Sequence, residues 1–149
     1  MNIKSTTRII TVASQKGGCA KTTTVVALAT AFSSLGKRIL IVDMDSQANA
    51  SAGLGVKKTA QKEHKTLSES IRKNLKLAQV RLPTSDPNID IVSADISLNR
   101  AIIEITGRPK QFQVLSQLLD CPEANQYDIV LVDTHPYLDC LLQSAFVGS

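Results

Sequence analysis

Residues 14–24 read SQKGGCAKTTT. Two glycines, two lysines and three threonines crowd one corner, between an apolar β-branched run and a helix-like stretch. A glycine-rich turn in that place can wrap an anion. Its backbone N–H groups point inward, and the helix dipole adds partial positive charge. Gly17 and Gly18 let the backbone come close to a ligand. Lys21 falls in the first helical turn, within reach of the β and γ oxygens of a nucleotide, and Thr22 can offer its hydroxyl to Mg²⁺. The ordinary pattern G-x-x-x-x-G-K-[ST] is not met, because Ala20 precedes Lys21 and Gln15 stands where the first glycine belongs. Two further stretches, RILIVD (38–43) and YDIVLVD (127–133), are apolar and end in an acid, Asp43 and Asp133.

These residues need a scaffold, and the chain predicts one. RIITVAS (8–14), RILIVD (38–43), IDIVSA (89–94) and YDIVLVD (127–133) read as four short buried strands. Residues 21–35 place Val25, Leu28, Ala29, Phe32 and Leu35 at helical spacing, with Gly36 as the stop. Residues 66–75 form a helix capped by Thr66 with Glu69 three residues on. Residues 95–119 read as helical, broken near Gly107, Arg108 and Pro109, and 138–147 begin another helix. Residues 46–58 read as loop with one short helical turn, and LPTSDPN (82–88) is turn chemistry. Strands alternating with helices imply βαβ units and a parallel sheet with helices on both faces. The length of 149 residues suits a single domain over 1–149.

Composition narrows the function classes. Apolar residues make up 43% and charged residues 20%, which is ordinary for a globular chain. Aromatics are only 3% and Trp is absent, which argues against binding by base stacking. The net charge of +4 is uneven: residues 57–81 hold eight basic residues against two acids, a local +6 that leaves −2 elsewhere. Such a stretch is either a solvated face or an attractor of nucleic acid or acidic lipid. Cys19, Cys121 and Cys140 form no C-x-x-C pair, which argues for a reducing compartment and against a zinc site. No signal peptide is visible, and no run reaches the roughly 18 apolar residues of a membrane span. A cytoplasmic protein is expected.

The opening stretch resembles the deviant Walker A box, K-G-G-x-x-K-[TS]-[TS], with Lys16 as its extra front lysine. RILIVDMDSQANASAGLG (38–55) is similar to the second motif of the same family, D-x-D-P-Q-G-N, matched by Asp43, Asp45, Gln47 and Asn49. YDIVLVDTHP (127–136) is similar to its Walker B strand, matched by Asp133. Three motifs in order identify the chain as a member of the ParA/MinD family of P-loop ATPases, closer to chromosome and plasmid partitioning ParA proteins. The resemblance implies a three-layer P-loop NTPase fold with a mostly parallel β-sheet flanked by helices. It also implies ATP and Mg²⁺ as cofactors, and slow ATP hydrolysis that switches an ATP-dependent homodimer. A ParB-like partner, non-specific DNA and a nucleoid-associated location follow from it; a membrane does not, since LLQSAFVGS (141–149) shows no basic amphipathic face.

The resemblance also distributes roles. Lys16, Gly17, Gly18, Cys19, Ala20, Lys21, Thr22 and Thr23 become the nucleotide-binding loop. Lys16 reaches the partner's nucleotide, Lys21 holds the β and γ phosphates, and Thr23 contacts the α phosphate. Thr22 ligates Mg²⁺, with Asp43 and Asp133 in the magnesium shell. Asp45 positions the attacking water, which makes Lys16, Lys21 and Asp45 the catalytic set. Four positions depart from the family pattern: Ala20 replaces Gly, Ser46 replaces Pro, Ala48 replaces Gly and His135 replaces Pro. An alanine at position 20 is strained by about 1 kcal/mol or more if its φ is positive. Family members are usually much longer, so the chain reads as C-terminally short, and a nucleotide-binding module with little turnover is the alternative function.

Overall fold

A computed structural model describes residues 7–13, 20–108 and 111–135. The front of the nucleotide loop (Lys16, Gly17, Gly18 and Cys19), Cys140 and the helix expected over 138–147 lie outside the described residues.

The chain runs β1 (Arg8–Val12), α1 (Lys21–Ser34), β2 (Ile39–Met44), α2 (Asn49–Gly53), α3 (Lys57–Lys62), α4 (Leu67–Lys73), α5 (Leu77–Val80), β3 (Leu82–Pro83), β4 (Ile89–Val92), α6 (Leu98–Ile105), α7 (Val114–Leu119) and β5 (Ile129–Thr134), with short 3₁₀ turns before α7 and before β5. One sheet holds all five strands in the order β1-β5-β2-β4-β3. β1, β5, β2 and β4 are parallel, and β3 pairs antiparallel with β4 at the edge.

Helices cover both faces, and the side chains of β2 show why. Every residue of β2 is buried. Ile39 and Ile41 join Val25 and Ala29 of α1, Ala50 of α2 and Ala60 of α3 in one core. Leu40 and Val42 point the other way, into a second core with Leu67 of α4, Leu98 of α6 and Leu115 of α7. A strand buried on both faces has no polar side to show, hence the unbroken run ILIV. The result is three layers, with the sheet in the middle.

Local chemistry sets the element ends. Gly36 takes φ 74° after α1, and the N–H groups of Gly36 and Lys37 return to the carbonyls of Ser33 and Phe32. This satisfies carbonyls that the helix end leaves open. The Thr66 hydroxyl accepts from the Glu69 N–H at 3.3 Å, as its spacing predicts. The expected strand ends hold to within a residue or two. The stretch 46–58, expected to be loop with one short helical turn, carries the short α2 and also the start of α3, and Leu82–Pro83 within the turn chemistry pairs as an edge strand. Proline is tolerated there because an edge strand leaves one row of N–H positions unused.

The topology matters to the site through β5. It inserts between β1 and β2, so Asp43 and Asp133 stand opposite each other in register. Both lie at the carboxyl ends of parallel strands, where open α/β sheets bind ligands.

Candidate nucleotide-binding site

α1 begins at Lys21, two residues after Cys19 in the sequence. Its N-cap, Ala20, sits in the left-handed region at φ 54° and ψ 27°. The Ala20 carbonyl is fixed there, accepting from the Thr24 N–H at 2.8 Å and the Thr24 hydroxyl at 2.9 Å. Lys21 and Thr22 follow in the first turn. The Thr22 hydroxyl donates to Asp133 Oδ2 at 2.7 Å across 111 residues of sequence. Two of the three motifs therefore meet in one bond.

Asp133 is buried at 1% exposure, and its second oxygen, Oδ1, meets no hydrogen-bond partner among the described residues. Burial pushes its carboxyl up from the ordinary range. The Thr22 hydrogen bond opposes that, the Asp45 charge adds to it, and the Lys21 ammonium pulls back down. These dependences place Lys21, Thr22, Asp45 and Asp133 in one electrostatic neighbourhood. A buried carboxylate with an orphaned oxygen is costly unless a cation or donor meets it.

Asp43 is engaged differently. Its Oδ1 accepts from the Asp45 N–H at 3.1 Å, and its Oδ2 accepts from the Ser51 N–H at 3.1 Å and the Ser51 hydroxyl at 2.7 Å. Burial still pushes its carboxyl up to about 7. Asp43 is the hub around which residues 45–51 wind. Ser51, fully buried, is a site residue that sequence reasoning missed; only its small hydroxyl, eight positions after the acid, hinted at it. The Asp45 carboxylate accepts from the Gln47 N–H at 2.9 Å, and Lys57 donates to the Gln47 carbonyl at 2.7 Å. Ala48, the N-cap of α2, takes φ 54° and ψ 45°.

The two alanines that replace family glycines are thus both left-handed, the conformation that glycine adopts without a Cβ penalty. Thr22 and Thr23 also line, with Asn49 and Gly53, a cavity of about 370 Å³ between α1 and α2. The Thr134 hydroxyl donates to the Val12 carbonyl at 2.8 Å and ties β5 to β1 just ahead of the loop. His135 is half-buried beside them.

Among the described residues no three His, Cys, Asp or Glu side chains converge as a metal cage. Mg²⁺ keeps several of its waters and takes one or two protein oxygens plus substrate phosphates. The Thr22 hydroxyl and the free Asp133 oxygen fit that description.

Residues 7–149 match the AAA domain family model. The chain belongs to this family. It is 33% identical to the chromosome partitioning protein ParA of Caulobacter vibrioides over 95% of this chain and 53% of that protein. It is 32% identical to the sporulation initiation inhibitor protein Soj of Bacillus subtilis, over 95% of this chain and 55% of that one. The chain spans about half the length of the curated relatives it matches. Among solved structures it is similar to cobyrinic acid a,c-diamide synthase of Mycobacterium smegmatis with bound ATP analogue and magnesium. There the TM-score is 0.88 at 28% identity, over 96% of this chain and 57% of that one. A putative plasmid partition protein of Borrelia burgdorferi bound to AMPPNP gives 0.81 at 29% identity, over 95% and 58%. The ParA-like resemblance and the three-layer P-loop NTPase fold both stand on these relatives.

Proposed function

We propose that this AAA-family chain is a single ParA-like ATPase domain over 1–149, binding ATP with Mg²⁺ and hydrolysing it slowly as a partitioning switch. The Thr22–Asp133 bond beneath a free, buried Asp133 oxygen is the observation that carries the reading. In it, the turn from Lys16 to Thr23 wraps the triphosphate, Lys21 holds the β and γ oxygens, and Thr23 reaches the α phosphate. Thr22 and Asp133 hold the magnesium, with Asp43 one step behind through the loop it anchors. Held there, Mg²⁺ would supply the charge neutralisation that phosphoryl transfer requires. Asp45 orients the attacking water. Its carboxylate is kept in place by the Gln47 N–H, and its backbone by Asp43. Lys16 contacts the nucleotide of a second copy, so that ATP closes a homodimer.

The partners in this reading are a ParB-like protein and non-specific DNA, and the location is the cytoplasm, on the nucleoid. ParA and Soj relatives support it, as does the absence, among the described residues, of any helix long and apolar enough to cross a membrane. The rival reading is a nucleotide-binding module with little turnover. The left-handed alanines at positions 20 and 48 favour it, since each puts a methyl where the family pattern has none. Phosphate release in the presence of DNA decides between the two. Turnover that Asp45→Ala abolishes while ATP binding persists supports the switch; wild-type binding without turnover supports the module.

A further inference from the structure

The second core, on the face opposite α1, has an opening that the nucleotide site does not use. Between the end of α4, the end of α6 and the start of α7 lies a cavity of about 370 Å³. That is within the range of small-molecule pockets. Its floor is apolar and includes Ile71, Leu75, Ile105 and Leu118. The first three are only half-buried, so the floor is open to water.

The charged side chains that line the cavity have one sign. Lys76 and Arg108 both line it, and among the described residues no acid does. The acids nearby are already spent. Glu104 pairs with Arg72 and Arg100, and Glu69 pairs with Lys73. Lys76 and Arg108 carry no ion pair among the described residues. The C-terminal ends of α4 and α6 also point here, and a helix C-terminus attracts cations rather than anions. Both basic side chains are exposed.

We propose that this cavity binds a small amphipathic carboxylate, its acyl or aryl body on the Ile71–Leu75–Ile105–Leu118 floor and its head between Lys76 and Arg108. An apolar body accounts for the floor. A carboxylate accounts for two lining cations without an ion pair among the described residues, because Arg meets a carboxylate through two parallel hydrogen bonds and Lys adds a third charge-assisted donor. The cavity lies across the sheet from α1, so it is separate from the nucleotide site and independent of the reading given for that site.

Calorimetric titration with decanoate, and with decanol as its neutral analogue, tests this. Saturable decanoate binding is expected, with decanol weaker by at least about tenfold, the loss of roughly one charge-assisted contact. The double variant Lys76→Glu/Arg108→Glu changes only exposed side chains and is expected to lose decanoate binding by at least the same factor. Ile105→Trp, which fills the floor, is expected to abolish it, with thermal melting confirming that each variant folds. Absence of saturable decanoate binding overturns the proposal. So does equal affinity for decanoate and decanol, or affinity unchanged in the double variant.

Discussion

The two left-handed alanines make different predictions, although their backbone angles are nearly the same. A non-glycine residue in this region is strained by about 1–2 kcal/mol, which glycine escapes. Glycine in turn costs about 0.4–1 kcal/mol by loosening the unfolded chain. At Ala20, which is exposed, nothing else enters. Ala20→Gly is therefore expected to stabilise the fold by about 0.5–1 kcal/mol. At Ala48 the methyl is fully buried in the second core. Removing it forfeits about 0.8 kcal/mol of apolar burial, which cancels the relief. Ala48→Gly is expected to be close to neutral. For a chain of this size 1 kcal/mol moves Tm by roughly 2–4 °C. Differential scanning calorimetry on the two single variants should show a rise of about 1–4 °C for Ala20→Gly and a shift below about 1 °C for Ala48→Gly. A fall in Tm for Ala20→Gly, or an equal rise in both, refutes the assignment of strain and its offset by burial.

Acid–base behaviour gives a second expectation. Asp43 has a folded-state pKa raised by burial from 3.8 to about 7, the reverse of the usual paired carboxylate. The native state then binds the extra proton, so stability in metal-free buffer falls as pH rises from about 4 to about 7 and levels off beyond. Urea unfolding across that range checks the sign, and Asp43→Asn should flatten the slope. At the opposite end of the sheet, the buried Tyr127 hydroxyl donates to Asp90 Oδ2 at 2.6 Å, an oxygen that Arg81 also reaches at 2.8 Å. Tyr127→Phe should destabilise the fold by about 1–2 kcal/mol in urea titration without altering nucleotide affinity. A matching loss of ATP affinity would show that the two ends are coupled.

Much of this architecture was legible in the letters because burial on both sheet faces leaves a plain signal. ILIV in β2 and IVLV in β5 have no polar alternation to confuse them, and each ends in the acid that the site uses. Thr66 and Glu69 announced α4 through capping chemistry alone. The stretch 46–58 was opaque for a physical reason. SQANASAGLGVKK is small and polar, with weak helical periodicity, and its two short helices depend on tertiary support: Asp43 gripping Ser51, and Lys57 gripping the Gln47 carbonyl. The edge strand at Leu82–Pro83 was hidden because two residues cannot show a period of two. At the site, the residue types indicated which positions matter. Only the fold could show that Asp133 keeps one oxygen free while both oxygens of Asp43 are occupied, or that Ala20 and Ala48 adopt glycine's conformation.

The central claim is that the corner after β1 holds a triphosphate with its magnesium. Isothermal titration of ATP into wild type and Lys21→Ala, each with and without Mg²⁺, tests it most directly. Saturable, Mg²⁺-dependent binding to wild type that Lys21→Ala loses is the expected result. Equal ATP affinity in the two proteins would contradict the account.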